Sequence, residues 1–327
     1  MAAVGNGTAV THFILLGLTN RMDLQGLLFG SFLLIYTMTL MGNLGMMALI
    51  HADPHLHTPM YFFLSTLSFV DICYSSVVTP RLLADFLTTD KSISYTGCVA
   101  QMAFFLLHGT AECLLLATMA YDRFVAICRP LLYHTLMSRG MCIRLVAVAY
   151  TLSMANSAVQ TSNVFRLPFC GPNHINHYFC DIPPLLQLST GDTLVADILV
   201  FLVSVVVVLS SFLLTLTSYT LIVFTICHIP SAMGRHKAFS TCASHLTVIT
   251  IFYSTVIFMY IRPESGQASN MDKVVSVFYA IIIPLLNPVI YTLRNRDFKR
   301  ALGKTLRRVK AALSWHRGPF PELIQLI

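Results

Sequence analysis

The stretch Met119–Cys128, MAYDRFVAIC, sets an acid and a base side by side in an apolar run. The residues before it, CLLLAT (Cys113–Thr118), suit lipid, and after it the chain turns basic. Charges at the edge of hydrocarbon are costly and mark function by default. The composition around the pair fits a membrane setting. Of 327 residues, 56% are hydrophobic and 11% charged, against roughly 25% charged in an ordinary soluble domain. Seven apolar stretches are long enough to cross a bilayer, which takes about 20 helical residues. They run near Leu27–Ile50, Pro59–Leu83, Cys98–Cys128, Cys142–Val164, Leu194–Cys227, Ala238–Ile261 and Val274–Leu293. The expected fold is an all-α membrane protein: a seven-helix bundle over residues 27–293, preceded by segment 1–26 and followed by tail 294–327.

Lys and Arg set the expected orientation. With the amino terminus outside, the inner loops and tail hold 15 of the 21 basic residues. The remaining six are Arg21, Arg81, Lys91, Arg166, Arg262 and Lys273. The first inner loop, HADPHLHTP, carries no Lys or Arg, so the bias rests on the later loops and the tail. FILLGL near the start is short for a signal peptide and no small-residue cleavage site follows it, so the first span is expected to direct insertion itself. Asn6-Gly7-Thr8 is a glycosylation sequon that this topology places in the lumen. The net charge of +7 would otherwise raise nucleic acid as a partner. Here it is assigned to lipid headgroups beside the inner leaflet.

No two of the nine cysteines form a CxxC pair, which argues against a zinc ribbon or a redox dithiol. Cys98 opens the third span and Cys180 lies in the long outer loop Arg166–Thr193, so an oxidising lumen allows a bridge between them. From Cys98 to Arg123 a helix rises roughly 37 Å, more than the hydrocarbon thickness of about 30 Å. With Cys98 outside, Arg123 therefore emerges at the inner mouth of the bundle.

Four stretches carry a family likeness: MAYDRFVAIC, LHTPMYFFLSTLSFVDICYSS (Leu56–Ser76), KAFSTCASHLTVI (Lys237–Ile249) and PLLNPVIYTLRN (Pro284–Asn295). With Gly42-Asn43 and Ser218-Tyr219, in this order and on these spans, the chain resembles an olfactory receptor of the rhodopsin-like G-protein-coupled receptors. The loop CGPNHINHYFCDIPPLL is similar to the tetrapod-type class II branch. One departure stands out: the family usually has a loop cysteine in LSC, where this chain has LST with Thr190. Cys170 then lacks its usual partner, and the loop should be less constrained. The resemblance implies a multi-pass plasma-membrane receptor that binds a small volatile odorant and couples to a stimulatory olfactory-type heterotrimeric G protein.

The same resemblance implies that Arg123 is a switch. Asp122 neutralises it at rest, and on activation it meets the G protein. Tyr219 and Tyr291, near the inner ends of their helices, can receive the released guanidinium. Related receptors often add an acid on the sixth span; here that end reads GRHKAFS, leaving Asp122 as the obvious restraint. Asn43, Asp71, Glu112 and Asn287 stand inside the membrane on four spans. Two close carboxylates do not both ionise without a cation or a shared proton. In related receptors the Asp71 position helps bind sodium. A sodium ion and a hydrogen-bonded network with protonated Glu112 both remain open, while Pro288 breaks helix bonding beside Asn287.

A ligand pocket is expected in the outer halves of the third, fifth and sixth spans, mostly apolar with few polar groups. Its candidates are Met102, Phe105, Leu106, Gly109 and Thr110, then Val203 and Val207, then Tyr253, Val256, Ile257 and Tyr260. Hydroxyls from Thr110 and Tyr260 offer one or two hydrogen bonds, and His108 reads as a packed histidine. No acid is evident there to anchor an amine, so the expected ligand is small, neutral and largely apolar. HYFCD (His177–Asp181) has spacing proposed elsewhere in the family as a copper or zinc site. With Cys180 in a disulfide, His177 reads instead as a solvated loop residue, and no metal is expected. After the seventh span, RDFKRALGKTLRRVKAALSW forms a basic amphipathic helix suited to the inner leaflet, or to calmodulin. A transporter or channel is the alternative, but no repeated segment supports it. HExxH, GxSxG and P-loop patterns are missing, as is the GxGD of intramembrane proteases, so no enzyme is expected.

Overall fold

A computed structural model describes residues 10–19, 21–261, 270–294, 298–305 and 307. Its long helices follow the apolar runs. They are α1 (Met22–Ala52), α2 (Pro59–Leu87), α3 (Tyr95–Cys128), α5 (Arg139–Phe165), α7 (Leu194–Cys227) and α8 (Ala232–Ile261). Short helices α4 (Tyr133–Leu136) and α6 (Ile182–Leu188) lie in connections. The last crossing is built from α9 (Asn270–Val277), a π-helical turn Phe278–Ile282 and α10 (Ile283–Arg294). Among the described residues six helices are long and apolar enough to span a membrane, while α8 carries a shorter apolar run, Cys242–Val256. The basic stretch at its start, Arg235 to His236, interrupts the apolar pattern there. Together these make the seven-helix bundle.

Local chemistry sets the ends. Ser94 caps α3 by accepting from the Gly97 amide at 3.1 Å, and Ser138 caps α5 through the Met141 amide at 3.4 Å. Pro59 opens α2, where its missing N–H costs nothing. Gly42 lets α1 approach the last crossing closely: a Cβ there would sit 3.1 Å from Pro288 Cγ. Along α7, Phe201, Leu202, Val206, Leu213 and Phe224 stand exposed, a surface suited to lipid tails.

The structure adds a feature that the all-α reading lacks. Three short strands, β1 (His12–Leu15), β2 (Ser92–Ser94) and β3 (His174–Ile175), form a sheet in the order β2-β1-β3. β1 pairs antiparallel with β2 (Phe13 opposite Ile93) and parallel with β3 (Ile14 opposite His174). Strands of two to four residues carry too little alternation to be read from sequence. This sheet marks one end of the bundle, the sheet end; the other is the tail end.

Several boundaries shift. α1 starts at Met22 rather than Leu27, and α8 at Ala232 rather than Ala238. Beyond α10, residues 298–305 are helical, and Phe298 and Ala301 are buried in the tail-end core with Tyr61, Leu64 and Tyr291. Lys304 Nζ lies 3.9 Å from Asp53 of the α1–α2 connection. Asn6 and the apolar positions Leu306, Val309 and Leu313 lie outside the described residues.

Candidate functional site

Two polar clusters and a roofed cavity lie along the bundle. At the tail end, Asp122 and Arg123 are both buried. The guanidinium of Arg123 donates to Asp122 Oδ2 from Nη2 at 2.7 Å and from Nε at 3.2 Å. Tyr133, from α4, donates its hydroxyl to Asp122 Oδ1 at 2.9 Å, so both carboxylate oxygens are engaged. Burial and the nearby Asp122 charge hold the Tyr133 phenol well above its usual range. Sequence reading missed Tyr133, eleven residues downstream on a separate helix. Tyr219 lies buried nearby but is already hydrogen-bonded to His245 Nδ1 at 2.7 Å. The Tyr291 hydroxyl is buried without a hydrogen bond among the described residues.

At mid-bundle, Asp71, Glu112 and Asn287 come together, all buried. Asn287 Nδ2 donates to both Asp71 oxygens at 3.1 and 3.0 Å and approaches Glu112 Oε1 at 3.4 Å. Asn43 does not join them: its Nδ2 donates to the carbonyls of Thr39 and Pro284, tying α1 to α10. Glu112 Oε2 and Asn287 Oδ1 accept no hydrogen bond from the described residues. Hard oxygens without donors are the set a small monovalent cation takes, so the residues fit sodium.

Toward the sheet end lies a cavity of about 270 Å³, at the small end of ligand sites. Phe105, Leu106, Gly109, Thr110, Val207 and Val256 line it as expected. Met102 does not. It sits about one turn further toward the sheet and is buried with Cys98, Phe13 and Ile182. Val203 and Tyr253 also lie off the lining; Tyr253 packs its ring on Phe212 and reaches Cys113, which does line the cavity. The side chains of Ile257 and Tyr260 are outside the described residues. His108 is packed, its Nδ1 donating to the Phe104 carbonyl at 2.8 Å.

The lining also holds polar residues that the sequence reading passed over: Asn156 and Gln160 of α5, Ser204 of α7, and Asp181 with Tyr279. Asp181 corrects the expectation of an acid-free outer region. It caps α6 through the Ile182 amide at 2.8 Å, and Tyr279 donates to its Oδ2 at 3.4 Å. Burial pushes its carboxyl up to about 6.

The α5–α7 connection roofs the cavity. Cys98 and Cys180 are bridged, across 82 residues of chain. The Cys180 amide donates to Gln101 Oε1 at 2.9 Å, fixing the connection to α3 a second time. His177 is not solvated. It is buried, stacked on Tyr178 with ring centroids 4.8 Å apart, and within 3.3 Å of Ser276 Oγ. Burial, with Lys273 nearby, pulls its imidazole down to about 3. Cys170 is a free thiol. The missing second bridge is partly offset, because Thr190 donates from both its amide and its hydroxyl to the Pro168 carbonyl, at 3.1 and 3.2 Å.

A roofed apolar cavity, a buried polar cluster and a paired Asp-Arg are thus in place, and comparison with known proteins decides the family. The sequence profile described as "Olfactory receptor" matches residues 32–309. The chain belongs to the olfactory receptor family. It is 56% identical over 301 residues to olfactory receptor 5AP2 of Mus musculus, covering 92% of this chain and 95% of that one. It is 55% identical over 305 residues to olfactory receptor 5A1 of Homo sapiens, at 93% and 97% coverage. With olfactory receptor 5B21 of Mus musculus it shares 53% over 308 residues, at 94% and 97%. This olfactory receptor is accordingly a multi-pass plasma-membrane protein and not an enzyme. What sequence could not supply for the receptor was the partners of Gln160 on α7, because helix-to-helix contacts across dozens of residues leave no local pattern.

Proposed function

We propose that the receptor binds small, largely apolar odorants in the sheet-end cavity and activates a stimulatory olfactory-type G protein, raising cyclic AMP. In this reading the sheet end faces outside, and the basic tail end lies in the cytoplasm against anionic lipid. The observation that carries it is the cavity itself. Phe105, Leu106, Val207 and Val256 give it apolar walls, and a roof tied to α3 by the Cys98–Cys180 disulfide covers it.

The Asp122–Arg123 pair supplies the switch. A buried ion pair is bistable when another partner can take one of its charges. The unsatisfied Tyr291 hydroxyl supports its place as an acceptor for released Arg123. Tyr219 would first have to give up His245. At mid-bundle we assign Asp71, Glu112 and Asn287 to sodium, whose positive charge would let both carboxylates ionise, or failing that to a shared proton.

The test is cyclic AMP in cells expressing the receptor with an olfactory G protein, over a panel of small odorants, beside Arg123→Ala at matched surface level. A response lost in Arg123→Ala supports the reading. A response untouched by it sinks the switch.

A further inference from the structure

The polar wall of the cavity is asymmetric in a way that names a ligand class. Gln160 is 1% exposed and lines the cavity from α5. Its Nε2 is spent on α7, donating to the Val200 carbonyl at 3.5 Å and to Ser204 Oγ at 3.2 Å. The carbonyl contact fixes which way the amide faces, since a carbonyl only accepts. That leaves Oε1 on the other side, buried and accepting nothing from the described residues. One helical turn away stands a second amide, Asn156. Its Nδ2 donates to Thr110 Oγ1 at 2.8 Å, and its Oδ1 is likewise buried and unpaired. The Asp181 carboxylate adds further acceptors from the roof.

Hydroxyls such as those of Thr110 and Ser204 turn to suit a donor or an acceptor, so they discriminate little. The Gln160 oxygen cannot turn toward α7 without breaking its nitrogen's bond to the Val200 carbonyl, whereas the Asn156 amide, held by a hydroxyl, can turn and keep its bond. A ligand that presents only acceptors leaves the Gln160 oxygen unsatisfied, or displaces water it cannot replace, and loses affinity. A ligand that presents an O–H or N–H relieves it.

Resting on the odorant-receptor reading above, we propose that Gln160 makes this cavity selective for hydrogen-bond-donating ligands. The class is small alcohols and phenols, preferred over ketones, aldehydes and ethers of the same carbon skeleton. Leaving one buried acceptor unpaired corresponds to roughly a tenfold or greater loss in potency.

The experiment uses matched pairs, each a secondary alcohol and its ketone, on the full-length receptor. Two readouts run in parallel: the half-maximal concentration for cyclic AMP, and thermal stabilisation of the purified receptor. The alcohol should be at least about tenfold more potent and the better stabiliser. The ratio should collapse toward unity in Gln160→Met, whatever happens to expression, because both members of a pair see the same receptor. Gln160→Leu serves as the second variant should Gln160→Met fail to reach the surface. Equal potency of alcohol and ketone in the wild type overturns the proposal while leaving the odorant reading standing. So does a ratio unmoved by either variant. An amine preferred over the alcohol, and abolished by Asp181→Asn alone, overturns it by moving selectivity to the carboxylate. If a pair activates the receptor and its response survives Val207→Trp, which fills the cavity, the ligand sits elsewhere and both readings fall.

Discussion

Removing the Tyr133 hydroxyl should loosen the resting receptor without breaking it. In Tyr133→Phe the ring keeps its place beside His134, and Asp122 loses only the bond on Oδ1. The two bonds from Arg123 to Oδ2 remain. A hydrogen bond to a charged group contributes about 1.5 to 3 kcal/mol. Tyr133 is half-buried, so the lower end applies, about 1.5 kcal/mol. That is roughly a tenfold change in the equilibrium between resting and active forms. If about 1% of receptors are active without ligand, the variant should raise ligand-free cyclic AMP several-fold, up to about tenfold. Its maximal response should be unchanged. The assay is basal cyclic AMP per receptor at the cell surface, wild type against Tyr133→Phe. Basal activity equal to wild type at equal surface level would refute the reasoning, for then Tyr133 restrains nothing.

Breaking the Cys98–Cys180 bridge frees a loop of 82 residues, worth about 4.5 kcal/mol on chain-entropy grounds. Cys180→Ser should sharply lower the melting temperature of purified receptor and its surface level. His177 is held near 3 against its usual 6.5. The unfolded chain therefore takes up a proton there that the folded one refuses, and stability falls as pH drops from 6.5 toward 3. The wild-type melting temperature should fall more steeply across that window than that of His177→Gln. Asp181 has the opposite sign: raised from 3.8 to about 6, its stabilising contribution is full below about 4 and lost as pH rises through 6. Asp181→Asn should remove that component between pH 4 and 6. Replacing sodium with choline should lower the melting temperature of wild type but not of Glu112→Gln. A wild type indifferent to sodium would favour the shared proton.

How much of this was legible in the sequence follows from the range of each interaction. The crossings were readable because twenty apolar residues in a row have one use, and α7 was found at Leu194–Cys227 to the residue. Phe105, Leu106 and Gly109 line one cavity because one helix face carries them together. The β1 strand was invisible since its partners lie roughly 80 and 160 residues away. His177 was misjudged because loop polarity suggests solvent, whereas Tyr178 and Ser276 bury it. The fourth span was left out of the pocket because Asn156 and Gln160 look like ordinary polar residues until α7 and α3 claim their nitrogens.

The most direct test separates binding from coupling in one purified receptor reconstituted with its G protein. An active odorant would be followed by thermal stabilisation and by nucleotide exchange, in wild type, Val207→Trp and Arg123→Ala. Val207→Trp fills the cavity and should lose both signals, while Arg123→Ala should keep stabilisation and lose exchange. Stabilisation that survives Val207→Trp would place the ligand elsewhere, and exchange that survives Arg123→Ala would remove the Asp122–Arg123 pair from signalling.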